Sequence, residues 1–184
     1  EIGLLEKSKK IIDHFPEKQS LNGYFHSQEG EWDSNGQVLW IVKKFHQFNN
    51  SQPDEDWMRY ISKAAGWIVN KRILDEQGTP HQGLLPAGFS AEHLGPNDYY
   101  FWDDFWSVEG LKSASEMLDE RYKKDAQFYK DQGKHLLEST RSSIRYAQEK
   151  NKSDAIPASP YRRLDSGAIG SIVGAYPLEL LETD

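Results

Sequence analysis

Cysteine is missing altogether from this chain of 184 residues. Its absence removes disulfides, thiol nucleophiles and Cys-ligated zinc. No apolar run reaches the ~18 residues that a membrane-crossing helix needs, and no signal-peptide core is legible. Positive charge is in deficit, with 22 Lys and Arg against 29 Asp and Glu, a net of −7. The basic residues form no single stripe. Nucleic acid and anionic membrane are therefore not expected as partners. The 6 His show no HExxH or paired-ligand spacing, Glu92-His93 included, so no metal and no cofactor is expected. A nucleophile elbow for Ser-His-Asp chemistry is missing as well. Strand-like alternation is almost absent. A cytoplasmic location is the expectation.

Aromatic residues are abundant: 6 Trp, 9 Tyr and 8 Phe. They concentrate in the stretch 96–111, PNDYYFWDDFWSVEGL, where Tyr99, Tyr100, Phe101, Trp102 and Trp106 surround Asp103 and Asp104. Phe105, Val108 and Leu111 then recur about three apart, which is one face of a helix. Rings beside carboxylates suit a sugar, because ring faces stack on pyranose C–H groups and carboxylates accept hydroxyl protons. The structural alternative is a capped helix beneath an aromatic core, since Asp is a favoured N-cap.

The rest of the chain reads as helices. Ile2, Leu5, Ile12 and Phe15 outline the first, closed by Pro16. Asp33 or Ser34 caps the second, Ser34 with Gln37 fitting a capping box, and it runs over 35–48. A third covers 54–75. A Gly- and Pro-rich loop, 78–95, leads to a helix ending near Leu118. A long polar helix spans 121–150, and a last helix of small residues follows Asp165. Three times a loop runs into a bulky residue, an Asp and an apolar helix: Trp32-Asp33, Trp102-Asp103-Asp104 and Leu164-Asp165, spaced by 70 and 62 residues. The apolar helices 35–48, 105–118 and 166–176 read as buried, and the charged ones as an outer layer. That is a single all-α domain over 1–184, built of helical hairpins, with its acidic loops at one end of the inner helices.

The segments EWDSNGQVLW, GLLPAGFSAEHLGPNDYYFWDDFW and YRRLDSGAIGS resemble the six-hairpin (α/α)6-barrel glycosidases, among them glucoamylase-like, trehalase-like and mannosylglycerate-hydrolase-like enzymes. The resemblance implies an α/α toroid, of which this chain supplies about half, as a fragment of a larger catalytic domain. It implies inverting hydrolysis of a glycosidic bond in an oligosaccharide or glycoside. Trp32-Asp33 is similar to the family's general-acid segment, so Asp33 is the candidate catalytic acid. The YYFWDD segment is similar to a sugar subsite, so Trp32, Tyr100, Trp102, Asp103 and Asp104 are candidate sugar contacts. Many glucoamylase-like members carry Arg where this chain has Asp103. Arg163 and Asp165 are further candidate contacts, and Asp165 is the best in-chain option for the general base. A carbohydrate is the expected partner. An open half-ring also implies a homodimer or the remainder of a longer chain. The competing readings are a non-catalytic sugar-binding relative and a helical-repeat interaction protein whose Asp residues only cap helices.

Overall fold

The helix that opens at the aromatic stretch is the centre of the molecule. In the computed structural model, which describes residues 4–89 and 95–181, the chain is all-helical, with two isolated bridges, Gln19–Phe25 and Gly88–Asp98, as its only β pairing among those residues. The helices are α1 (Leu5–Ile12), α2 (Ser34–Phe48), α3 (Glu55–Lys71), α4 (Phe101–Met117) and α5 (Lys123–Asn151). Expected positions hold to within a few residues. Ile2, assigned to the first helix from the sequence, lies outside the described residues, as does the Glu182–Asp184 end.

α4 is buried around nearly its whole circumference, from Phe101, Phe105 and Trp106 to Leu111, Ala114 and Met117. Each large apolar side chain taken fully out of water contributes about 1.5–3 kcal/mol. α5 lies along it, burying Tyr129, Gly133, Leu136, Thr140, Ile144 and Ala147 at helical spacing. α3 is capped by Asp54, which accepts from the Trp57 amide at 2.9 Å.

α2 and α4 run side by side in the same direction. Asp33 meets Trp102 at one end, Gly36 faces the Trp106 carbonyl and Gly110 further along, and Lys43 bonds Glu109 at 2.7 Å. Their N-terminal ends therefore lie together. α3 and α5 return in the opposite sense, with Asn35 at the start of α2 bonded to Ala64 late in α3.

Four sequence expectations are corrected. The last segment, Ser166–Gly174, is a 3-10 helix; its glycines allow close packing, with Gly174 against the Phe105 ring, and they lower α-helix propensity. The capping box at α2 does not form: Ser34 Oγ donates to the Phe25 carbonyl at 2.6 Å, and Asp33 makes no side-chain cap. α4 begins earlier than the reading of caps allowed. Tyr100 is its N-cap, which puts Asp103 and Asp104 inside the first turn. α2 is not buried on most sides; Ile41 and Phe48 are exposed.

The Lys43–Glu109 pair is buried between α2 and α4, and Glu116 lies 3.3 Å from the same ammonium. Removing Lys43 leaves the buried Glu109 carboxylate with only the half-exposed Lys112 ammonium, 3.5 Å away, and the Ser113 hydroxyl. Lys43→Met is expected to cost about 3 kcal/mol in urea unfolding, and adding Glu109→Leu is expected to return most of it. A single variant as stable as the parent would show that the pair is not desolvated.

Candidate functional site

The joined ends of α2 and α4 bring two of the three acidic motifs together. The loop before α2 is fixed by Asn35, whose Oδ1 accepts from the Phe25 amide at 2.7 Å and whose Nδ2 donates to the Gly23 and Ala64 carbonyls. Tyr24 stacks on Trp67 at 4.5 Å and donates to the Glu31 carbonyl at 2.6 Å. Trp32 is held from its other side by Lys71, whose ammonium sits 3.9 Å from the ring centroid.

Asp33 is half-buried. Its Oδ2 accepts from Trp102 Nε1 at 2.6 Å and from Gln37 Nε2 at 2.7 Å. Thus one residue from each parallel helix aims the same carboxyl. Asp103 sits behind it, only 2% exposed. It accepts from the Trp32 amide, while Oδ2 has no hydrogen-bond partner. Burial first, then the charges of Asp33, Asp104 and Glu31, push the Asp103 carboxyl well above the ordinary range. Asp104 turns elsewhere: it accepts from the Leu85 amide at 2.9 Å. Burial pushes it up to about 8, against the pull of that bond and of Arg72. Arg72 spends its donors on the Gly83 carbonyl and Gln132.

Beside Asp33 opens a groove of about 530 Å³, whose walls include Trp40, Trp102, Trp106, Phe25, Gln37 and Lys18. Trp106 makes edge contacts with Trp40 at 5.6 Å and with Trp102 at 5.9 Å. Three indoles thus share one wall, and both donors to Asp33 line it. Among the described residues lining this groove there is no carboxylate.

The sequence-derived candidates separate. Trp102 lines the groove, and Asp33 lies one hydrogen bond behind its wall. Trp32 packs on Trp67 and Lys71. Tyr100, Asp103 and Asp104 are buried and offer no face to a ligand, and the Tyr100 hydroxyl is bonded to the Pro96 carbonyl at 2.7 Å. Asp165 is not drawn to Asp33: it caps the 3-10 segment through the Gly167 amide and pairs with Arg162 at 2.7 Å. Arg163 is exposed. Gln37 and Trp40 were the residues missed. Their signal was present in the helical spacing, since Asp33–Gln37 is an i, i+4 pair and Gln37–Trp40 an i, i+3 pair on the same face. No three His, Asp or Glu side chains among the described residues form a metal-holding set. Glu92-His93 lies outside them. None of the helices described is long and apolar enough to cross a membrane.

Compared with protein-family models, with curated proteins and with solved structures, the chain finds no match in any of the three. Sequence and structure define an all-α protein with an indole-walled groove at the shared end of two parallel helices.

Proposed function

We propose that this groove is a saccharide subsite and that the chain is a glycoside hydrolase-like domain of the six-hairpin type. The observation that carries the reading is the wall formed by Trp40, Trp102 and Trp106, with the Asp33 carboxyl hydrogen-bonded to it through Trp102 and Gln37. Indole faces cover the C–H face of a pyranose, and the Gln37 amide can serve its hydroxyls.

In the proposed reaction the bound glycoside takes the place of one of the two wall donors to Asp33, Gln37 or Trp102, and Asp33 then gives its proton to the glycosidic oxygen. The C1–O bond breaks and its electron pair stays with the departing oxygen. Water adds to C1 from the opposite face, losing its proton to a second carboxylate, which the six-hairpin resemblance puts on another hairpin and which none of the described groove residues supplies, and the anomeric configuration inverts. Asp103 does not touch the sugar in this scheme. Its burial beside Asp33 makes a full negative charge there costly, which favours the proton-carrying form of the local acid set.

A second reading has its own support. The described lining of the groove contains no carboxylate, so a sugar can be held here without being cut. Two variants separate the readings. Trp40→Ala is expected to weaken oligosaccharide binding at least about tenfold in a tryptophan-fluorescence titration. Asp33→Asn is expected to leave binding nearly unchanged and to lower hydrolysis of glucosides or mannosides by roughly 10²–10⁴. Binding without hydrolysis in the parent chain selects the second reading. A panel in which no saccharide binds overturns both.

A further inference from the structure

A second concavity begins where the indole groove ends. It has a volume of about 410 Å³ and lies between α1 and α2, walled by Leu5, Ile11, Phe15, Ile41, Phe45 and Phe48. The sequence explains its form. On α2, Val38, Ile41, Phe45 and Phe48 recur at alternating steps of three and four. On α1 and just beyond it, Leu4, Ser8, Ile11 and Phe15 do the same. That is the spacing of a helix seam, the pattern by which side chains of one helix receive those of another. Apart from Val38, which lines the indole groove, both seams face one trough. Ile11 is 63% exposed and Phe48 is 61% exposed. Large apolar side chains clustered in this way mark a binding surface more often than an ordinary one.

Among the described residues the margins carry Lys7, Lys9 and Lys44, with Lys9–Asp13 the one ion pair between them and an acid. Lys44 lines the trough directly. Lys7 stands one turn from both Leu4 and Ile11, so it flanks the α1 seam. Lys9 flanks the other side and is paired with Asp13. This basic border belongs to a chain with a net charge of −7. A second copy laid face to face would set these lysines against one another, and like charges across an interface are disfavoured.

We propose that the α1–α2 trough docks an amphipathic α-helix with acidic margins, contributed by a protein partner. The apolar seam of that helix fills the trough in the helix-in-groove manner, and its Asp and Glu side chains meet Lys7 and Lys44. Phe15 and Ile41 line both concavities and Lys44 lies 5.7 Å from the Trp40 ring centroid, but Ile11 and Phe48 belong to the trough alone, so their variants test it separately from the saccharide reading.

The test uses the full chain and two synthetic helical peptides of about three heptads. Both carry the same Leu/Ile seam; one has Glu at the flanking positions and the other Lys. In fluorescence anisotropy at low salt the Glu peptide is expected to bind at least about tenfold more tightly, with the difference shrinking as salt is raised. Ile11→Asp and Phe48→Asp alter exposed positions, so their helical circular dichroism is expected to be unchanged while peptide binding is lost. Lys7→Glu combined with Lys44→Glu is expected to reverse the preference between peptides. Equal binding of both peptides, or none, overturns the proposal. So does a dimer in light scattering that Phe48→Asp dissolves, because the occupant is then a second copy.

Discussion

Gly36→Val is expected to leave no cooperatively folded chain. Gly36 is where α2 comes closest to α4. A Cβ placed there would lie 2.1 Å from the Trp106 carbonyl oxygen and 2.4 Å from its carbon, with the Ser107 amide nitrogen at 2.9 Å. All three are backbone atoms of a helix, so no rotamer change relieves the clash. Gly110 faces the same point, with its added Cβ 2.7 Å from the Gly36 Cα. Two helices can run this close only where both lack side chains. Overpacking a core normally costs about 1–3 kcal/mol; forcing apart the central helix pair costs more, on the order of the whole stability of a domain. Gly66→Ala is the matched control. Its Cβ would meet only the Tyr129 hydroxyl oxygen at 3.5 Å, an ordinary contact. That variant is expected to be as stable as the parent or up to about 1 kcal/mol more stable. Urea unfolding followed by far-ultraviolet circular dichroism compares the two. A Gly36→Val protein with the parent's midpoint would mean that α2 and α4 do not pack in this way. The same separation would also break the Trp102–Asp33 hydrogen bond, so the site and the fold rest on one glycine contact.

The second large effect is a loss of stability toward alkaline pH. Asp104 is held at about 8 in the folded chain, chiefly by burial, while a carboxyl in an unfolded chain titrates near 4. Below pH 4 both states hold the proton and the folded state has its full advantage. Between about pH 4 and 8 the unfolded chain gives up the proton and the folded chain keeps it. Stability therefore falls as pH rises through that window and levels off above it. The span corresponds to something on the order of 5 kcal/mol. Asp103 acts in the same direction, since its burial and its acidic neighbours also raise it. Asp104→Asn holds the uncharged form at every pH and keeps an oxygen to accept from the Leu85 amide. It is expected to unfold at a higher urea concentration than the parent at pH 8, to approach it as pH falls to about 4, and to flatten the pH profile. An equally steep profile in the variant would mean that Asp104 is ionised in the folded chain.

Much of the architecture was legible in the residues. Helical periodicity located all five helices, because an apolar stripe at a spacing of three to four has only one way to be buried. The Asn49–Pro53 break and the Asp54 cap separated α2 from α3, since both signals act within a turn of backbone. Of the three acidic motifs expected at one end of the inner helices, Trp32-Asp33 and Trp102-Asp103 meet, whereas Leu164-Asp165 stays apart with Arg162. Other features were not legible. Whether an Asp before an apolar helix caps it or enters its first turn depends on where the chain before it is anchored. Here Tyr100 is tied to the Pro96 carbonyl, and α4 starts at once. The last small-residue segment became a 3-10 helix because it lies against α4 and the Pro157 carbonyl, a contact distant in sequence.

What the sequence determined by itself was local: an all-helical chain, its segmentation, and a stock of indoles and carboxyls near two helix starts. These follow from side-chain spacing and capping chemistry that act over a few residues. Tertiary structure alone decided which carboxyls face what. Asp33 reached Trp102, Asp103 and Asp104 were sealed in the core with raised affinity for protons, and Asp165 was left to Arg162. The reason is that burial and hydrogen-bond partners are set by the parallel docking of α2 on α4, and that docking joins residues some seventy positions apart.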